Sequence, residues 1–283
     1  MRNGLIGRLF AVLSLSTGML AAGLGLAPAA QSVAAWAPAE TATIHPGVMM
    51  FTDGAQCTAN FIFTQGTATF IGYAAHCAGT GAATETNGCD AESLPLGTPV
   101  EIDGATQPGS LAYSSWLAMQ SQPTRPDSNT CQYNDFALVR INNADVGRVN
   151  PSIPHWGGPV GTNTTGNPAL SRVYSYGNSS LRLGITQLSP KTGVSLGTTG
   201  GGWTHPAYTV TPGIPGDSGS AFLDAQGRAT GVLSTISIAP LPASNNASDL
   251  NRSLAYAQSH GMSGVALVNG TEAFDGSKVP LGV

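Results

Sequence analysis

Beyond residue 56 the chain consists of short apolar and β-branched runs separated by turn-formers, the pattern of many short strands rather than of long helices. Thr58 to Thr64 and Thr67 to Tyr73, joined at Gln65-Gly66, predict a β-hairpin. Further strands are predicted at Phe136 to Ile141, Arg172 to Tyr176, Ala207 to Thr211, Ser220 to Leu223 and Ala229 to Ile236, the last two joined by a second turn from Asp224 to Gly227. One helix is predicted near 249–260. Ser248 or Asp249 caps it, Leu250, Leu254 and Ala257 share a face, and Gly261 ends it. The Pro- and Gly-dense segment from Asn150 to Gly161 divides the chain into two expected β domains, 36–150 and 151–283. The fold class is all-β with a C-terminal helix.

With 283 residues, the chain is long enough for one large β domain or two small ones with real cores. Charged residues make up only 9%, against about 25% in ordinary soluble domains, which excludes a charge-rich coiled coil or a highly charged tail. The net charge is -4 and the only lysines are Lys191 and Lys278, so neither a nucleic-acid-binding surface nor a polybasic membrane patch is expected. Residues 1–35 are expected to be a secretory signal. Arg2 and Arg8 precede an apolar stretch from Leu9 to Ala27, with cleavage after Ala29 or Ala35. A retained membrane anchor is the competing reading. It is disfavoured by Ser14, Ser16 and Thr17 and by the lack of a basic stop-transfer cluster. The expected location is therefore secreted and extracellular, with no membrane partner after cleavage.

Four cysteines, Cys57, Cys77, Cys89 and Cys131, are an even number in a chain expected to be exported, which favours disulfides. Three pairings are possible. The predicted hairpin sets Cys57 and Cys77 nearly equidistant from its turn, so these two pair, and Cys89 with Cys131 follows by elimination. Zinc ligation would call for Cys-x2-Cys or His-x3-His spacing, which the chain lacks, and no metal or cofactor is expected.

Candidate chemistry centres on Gly216-Asp217-Ser218-Gly219. A serine hydroxyl becomes a nucleophile only with a base to take its proton and backbone N–H groups to hold the oxyanion. Alone, the string is equally a Gly-rich turn before a strand. His76, however, sits at the end of a predicted strand beside Cys77, and Asp135 opens an apolar strand. In the order His, Asp, Ser, these motifs resemble the chymotrypsin-like (trypsin-fold) serine peptidases of the secreted bacterial type, over about Gly47 to His260. The resemblance implies two six-stranded antiparallel β-barrels followed by the helix, with His76 and Asp135 in the first and Ser218 in the second. It implies that Ser218 is the nucleophile, His76 the base and Asp135 its orienter, with the amides of Gly216 and Ser218 as the oxyanion hole.

By the same resemblance, Gly231 to Ile236 is the substrate strand, with Ser234 on the triad aspartate and Thr235 and Ile236 beside the peptide. Pro212 stands where trypsin-like members carry an aspartate, Leu233 where glutamate-specific ones carry a histidine, and Ile236 at the pocket mouth. Small or medium apolar P1 residues are therefore expected. Asp217 is expected to be braced by an internal arginine such as Arg140, Arg172 or Arg182. The implied partner is a peptide or protein substrate, and the implied state a monomer. Two alternatives remain: a secreted serine esterase, which would want glycine where Ser220 stands, and a catalytically silent binding module on the same fold. His155 and His205 are expected to be structural or exposed, His260 to close the helix, and Trp116, Trp156 and Trp203 to pack at domain or loop surfaces.

Overall fold

The computed structural model describes residues 35–81, 85–237 and 244–280. The signal expected at 1–35 falls outside the described residues up to residue 34. In chain order, the first seven strands are β1 (Met49–Thr52), β2 (Ala55–Thr58), β3 (Ile62–Gln65), β4 (Ala68–Tyr73), β5 (Pro99–Ile102), β6 (Gly109–Ser114) and β7 (Ala137–Arg140). Next come β8 (Arg172–Tyr176), β9 (Pro190–Ser195), β10 (Thr204–Thr209), β11 (Ala221–Asp224), β12 (Ala229–Ser237) and β13 (Ser244–Asp249), with a short β14 (Ala266–Leu267) at the end. Strands β10-β13-β12-β11-β8-β9 close into a six-stranded barrel. Strands β1 to β7, joined by β14, form an eight-stranded antiparallel sheet ordered β14-β3-β4-β7-β6-β5-β1-β2, where a second six-stranded barrel was expected.

The hairpin expected at Gln65-Gly66 is β3–β4, with Gln65 opposite Ala68 and Gly66 at φ +59°, the left-handed turn conformation that glycine tolerates. The strand expected over Thr58 to Thr64 is broken in two because its backbone changes partners. Ala59 N donates to Val48 O (2.9 Å), whereas Asn60 N donates to Gly72 O (2.8 Å). All of Ala59, Asn60 and Phe61 is buried. One apolar cluster runs from Ile44 to Val265 and includes an edge-on Phe63–Phe136 pair at 5.5 Å. Each such side chain removed from water contributes about 1.5–3 kcal/mol.

The barrel is built differently. Its own apolar cluster is Val173, Ala207, Phe222, Leu233 and Ala247. Buried polar side chains stand beside it, and Asn245 is satisfied on both sides: its Nδ2 donates to Thr209 Oγ1 (2.7 Å), and its Oδ1 accepts from Gly213 N (2.8 Å).

Helix α1 (Ser115–Gln120) and helix α2 (Ser128–Tyr133) lie between β6 and β7, and α3 (Leu250–Ser259) forms where the capping pattern placed it. Asp127 caps α2 by accepting from Asn129 N and Thr130 N, and Asp249 caps α3 by accepting from Arg252 N (2.7 Å). After α3 the chain returns to the first sheet, where β14 pairs with β3. Trp156, in the Pro/Gly segment, is fully buried and donates from Nε1 to Ser175 O (2.8 Å). No helix among the described residues is long and apolar enough to cross a membrane.

Candidate active site

His76 lies on the single helical turn Ala75–Ala78 that directly follows β4, and the Cys57–Cys77 disulfide ties that turn to β2. The second disulfide joins Cys89 to Cys131, on α2. Asp135 sits between α2 and β7, so both ends of its short connection are held by regular structure. The carboxylate grips His76 twice. The ring Nδ1 is 2.7 Å from Oδ2, and the His76 backbone amide donates to Oδ1 at 2.9 Å. Ser234 Oγ on β12 donates to the same Oδ2 at 2.6 Å. The Asp135 side chain is 4% exposed and that of His76 25%, so the pair is sheltered on the aspartate side and open on the other.

Burial by itself favours the neutral ring, but the Asp135 charge and hydrogen bond outweigh it and hold His76 above its ordinary 6.5. Burial likewise opposes ionisation of Asp135. The His76 charge, with hydrogen bonds from His76 and Ser234, nevertheless keeps the carboxyl below its ordinary range.

Ser218 and His76 line one cleft of about 650 Å³, together with Gly216, Ser234, Thr235, Ile236 and Trp116. No hydrogen bond joins Ser218 Oγ to His76 among the described residues. Two contacts position the serine loop against the first sheet, Thr58 N donating to Ser218 O (2.8 Å) and Asn60 Nδ2 to Gly219 O (3.1 Å), and a third ties it to β12 of the barrel, Gly219 N donating to Leu233 O (2.7 Å). Gly219 has φ +87°, and a Cβ there would stand 2.6 Å from Thr58 O. Only glycine fits this seat.

The amides of Gly216 and Ser218 donate to no acceptor among the described residues. The carbonyl of Gly216, by contrast, accepts from Gln56 Nε2 (3.0 Å) and Thr58 Oγ1 (2.7 Å). Gln56 also holds the neighbouring loop, donating to Asn178 O (3.2 Å) and accepting from Ser180 N (3.0 Å). The carbonyl side of the Gly216 peptide is thus fixed while two amides stay available to an oxyanion.

Asp217 is fully buried and pairs through Oδ2 with Arg182, one of the three arginines expected, and with Lys191 Nζ at 3.1 Å. The sequence reading missed Lys191 and Gln56. A lysine between strand residues of a charge-poor chain was the one available signal for the former. Pro212 lies at the start of the loop and gives its carbonyl to Lys191 (2.9 Å). Ile236 is 46% exposed at the cleft, and its Cγ1 would be 3.6 Å from a Cβ on Gly213. Asn245 Oδ1 stands on the same glycine, 2.7 Å from that Cβ position.

Of the remaining singled-out residues, all but Trp116 lie apart from the cleft. His205 is buried against Asp249 (2.6 Å), His260 caps α3 while stacked on Tyr256, and His155 lines a different cavity. Trp203 faces Arg252, whereas Trp116 is buried beneath Gly79 and Gly88 at the cleft. Cys57, His76 and Cys77 form the one His/Cys/acid group with metal-ligand spacing among the described residues. Its two sulfurs are bonded to each other, and the ring Nδ1 is on Asp135.

No family model matches the sequence, nor does any curated protein sequence. Among solved structures, the chain is similar to protease A of Thermobifida fusca, at 20% identity and a TM-score of 0.52, over 80% of this chain and 99% of that one. A glutamic acid-specific serine protease (16%, TM-score 0.49) and the chymotrypsin of Cellulomonas bogoriensis (19%, TM-score 0.47) each cover 80% of this chain and 98% or more of their own. The fold is chymotrypsin-like, and the structural neighbours are bacterial serine proteases.

Proposed function

We propose that the chain is a secreted serine endopeptidase acting through an acyl-enzyme. The observation that carries this is the His76–Asp135–Ser234 network facing Ser218 across one cleft, beside two unpaired amides at Gly216 and Ser218. In the reaction, His76 takes the Ser218 hydroxyl proton as Oγ bonds to the scissile carbonyl carbon. Asp135 holds the ring in the productive orientation and stabilises its positive charge. The carbonyl oxygen becomes an oxyanion held by the two amides. Collapse breaks the C–N bond, and His76 returns the proton to the leaving amine. Water, deprotonated by the same ring, then hydrolyses the ester and restores Ser218.

Ile236, an apolar side chain lining the cleft beside Gly213, supports small or medium apolar P1 residues. The exposed rim of β12 at Thr235 and Ile236 suits main-chain pairing with an extended substrate. Two disulfides and the apolar N-terminal segment support export. We take the protein as a monomer.

A panel of otherwise identical peptides varied at P1 tests the reading. Cleavage is expected after Ala and Val, lost in Ser218→Ala, and extended to Phe in Ile236→Gly. Cleavage confined to Lys, Arg or Glu, or unchanged by Ser218→Ala, would overturn it.

A further inference from the structure

A buried ammonium is costly, because burial favours its neutral form and two cations on one carboxylate repel each other. Of the two lysines in the chain, Lys278 is exposed and Lys191 is 1% exposed. Arg182 already balances the charge of Asp217, so neutralisation does not explain Lys191. Its geometry does. The three ammonium N–H groups have three acceptors: Asp217 Oδ2 (3.1 Å), Pro212 O (2.9 Å) and Thr211 O (3.3 Å). These acceptors are the two ends of the 211–217 loop. That loop carries Gly213 of the pocket wall and Gly216 of the oxyanion hole, and Ser218 follows directly.

Arg182 touches Asp217 alone among these groups, and so cannot hold the start of the loop. Asp217 itself lies between the two unpaired amides.

We propose that Lys191 is a positioning residue for the oxyanion hole: from β9 its ammonium clasps both ends of the 211–217 loop and fixes Gly216 and Ser218 so that their amides face the substrate. The proposal rests on the serine-peptidase reading above. Asp217 and Arg182 are the charged groups facing the ammonium, and burial holds it below the ordinary lysine value of 10.5. Loss of its proton leaves two N–H groups for three acceptors and removes the charge that holds Asp217, loosening the clasp between the two ends of the loop.

The test is the rate of Ser218 labelling by a fluorophosphonate from pH 6 to 11, in wild type and Lys191→Met, with circular dichroism monitoring the fold. The wild-type rate is expected to fall reversibly at alkaline pH with a midpoint below 10.5. Folded Lys191→Met is expected to label roughly 100-fold more slowly at pH 8, the loss typical of one oxyanion donor, and to lack that alkaline fall. Lys191→Gln, which keeps two donors without the charge, replaces the methionine variant should that one not fold. Wild-type labelling that stays flat to pH 11, or a folded variant labelling at the wild-type rate, would overturn the role of Lys191 while leaving the peptidase reading intact. Wild type that never labels would overturn both.

Discussion

The decisive atoms at the residue scale are the two oxygens of Asp135, which hold the ring and the backbone of His76 at once. The backbone bond fixes the position of the His76 main chain, and the Nδ1 bond fixes the orientation of the ring upon it. The same carboxylate raises the His76 pKa above 6.5. The base form of the ring is the reactive one, so hydrolysis falls as pH drops through that raised value. The acid limb of kcat/KM is therefore predicted to have its midpoint above 6.5, and a midpoint at or below it would show that the pair is not coupled in solution.

As candidates that the structure gathers, with Asp135 on His76 and both His76 and Ser218 on one cleft, these three residues were legible in the sequence because short strings of neighbours mark each of them. Lys191, Gln56 and Asn245 were not, because their partners lie elsewhere in the chain: Gln56 reaches Gly216, and Asn245 reaches Thr209 and Gly213. Nothing local to these side chains signals such contacts.

Elements with apolar faces were readable, and elements without them were not. Strands β4, β7 and β8 fall within a residue of their expected bounds, since Phe70, Ile71, Leu138, Val139 and Val173 bury their side chains. Strand β13 reads Ser-Asn-Asn-Ala-Ser-Asp and has no hydrophobic alternation, yet Ser244, Asn245 and Ser248 are buried in the barrel. Asn245 is held there by hydrogen bonds to Thr209 and Gly213 and Ser248 by one to Tyr133 O, and periodicity cannot detect that.

The seat of the serine loop against β4 gives an element-level prediction. In Gly219→Ala the added methyl meets Thr58 O at 2.6 Å and Ala74 N at 3.0 Å in a left-handed backbone. The expected cost is about 2 kcal/mol or more, which lowers Tm by roughly 4–8 °C. Gly66→Ala, at a positive φ with nothing within 4 Å, bears the conformational strain alone and serves as the comparison. Equal losses in thermal melts of the two variants would show that the seat is looser than described.

For the whole molecule, the site exists only where the sheet and the barrel meet. Asp135 from the first half receives Ser234 from the second, and the backbone of Thr58 holds that of Ser218. The mostly β architecture was legible from the short apolar runs along the chain. The return of β14 to β3 was not, because a two-residue strand carries no pattern. Nor was the eight-stranded order of the first sheet, which depends on long-range pairings such as β1 with β5.

Both disulfides lie in the first half, one at the His76 turn and one at α2 before Asp135, so the histidine and aspartate are cross-linked into place while the serine loop relies on hydrogen bonds and the buried Asp217 cluster. Catalysis then requires these separately built parts to act as one base-activated nucleophile. Intact-mass analysis of the processed protein after exposure to a fluorophosphonate reads this without assuming a substrate. A single adduct per chain, absent in Ser218→Ala and in His76→Ala, is the predicted result. A folded wild-type protein that takes up no adduct, or an adduct that persists in Ser218→Ala, would contradict it.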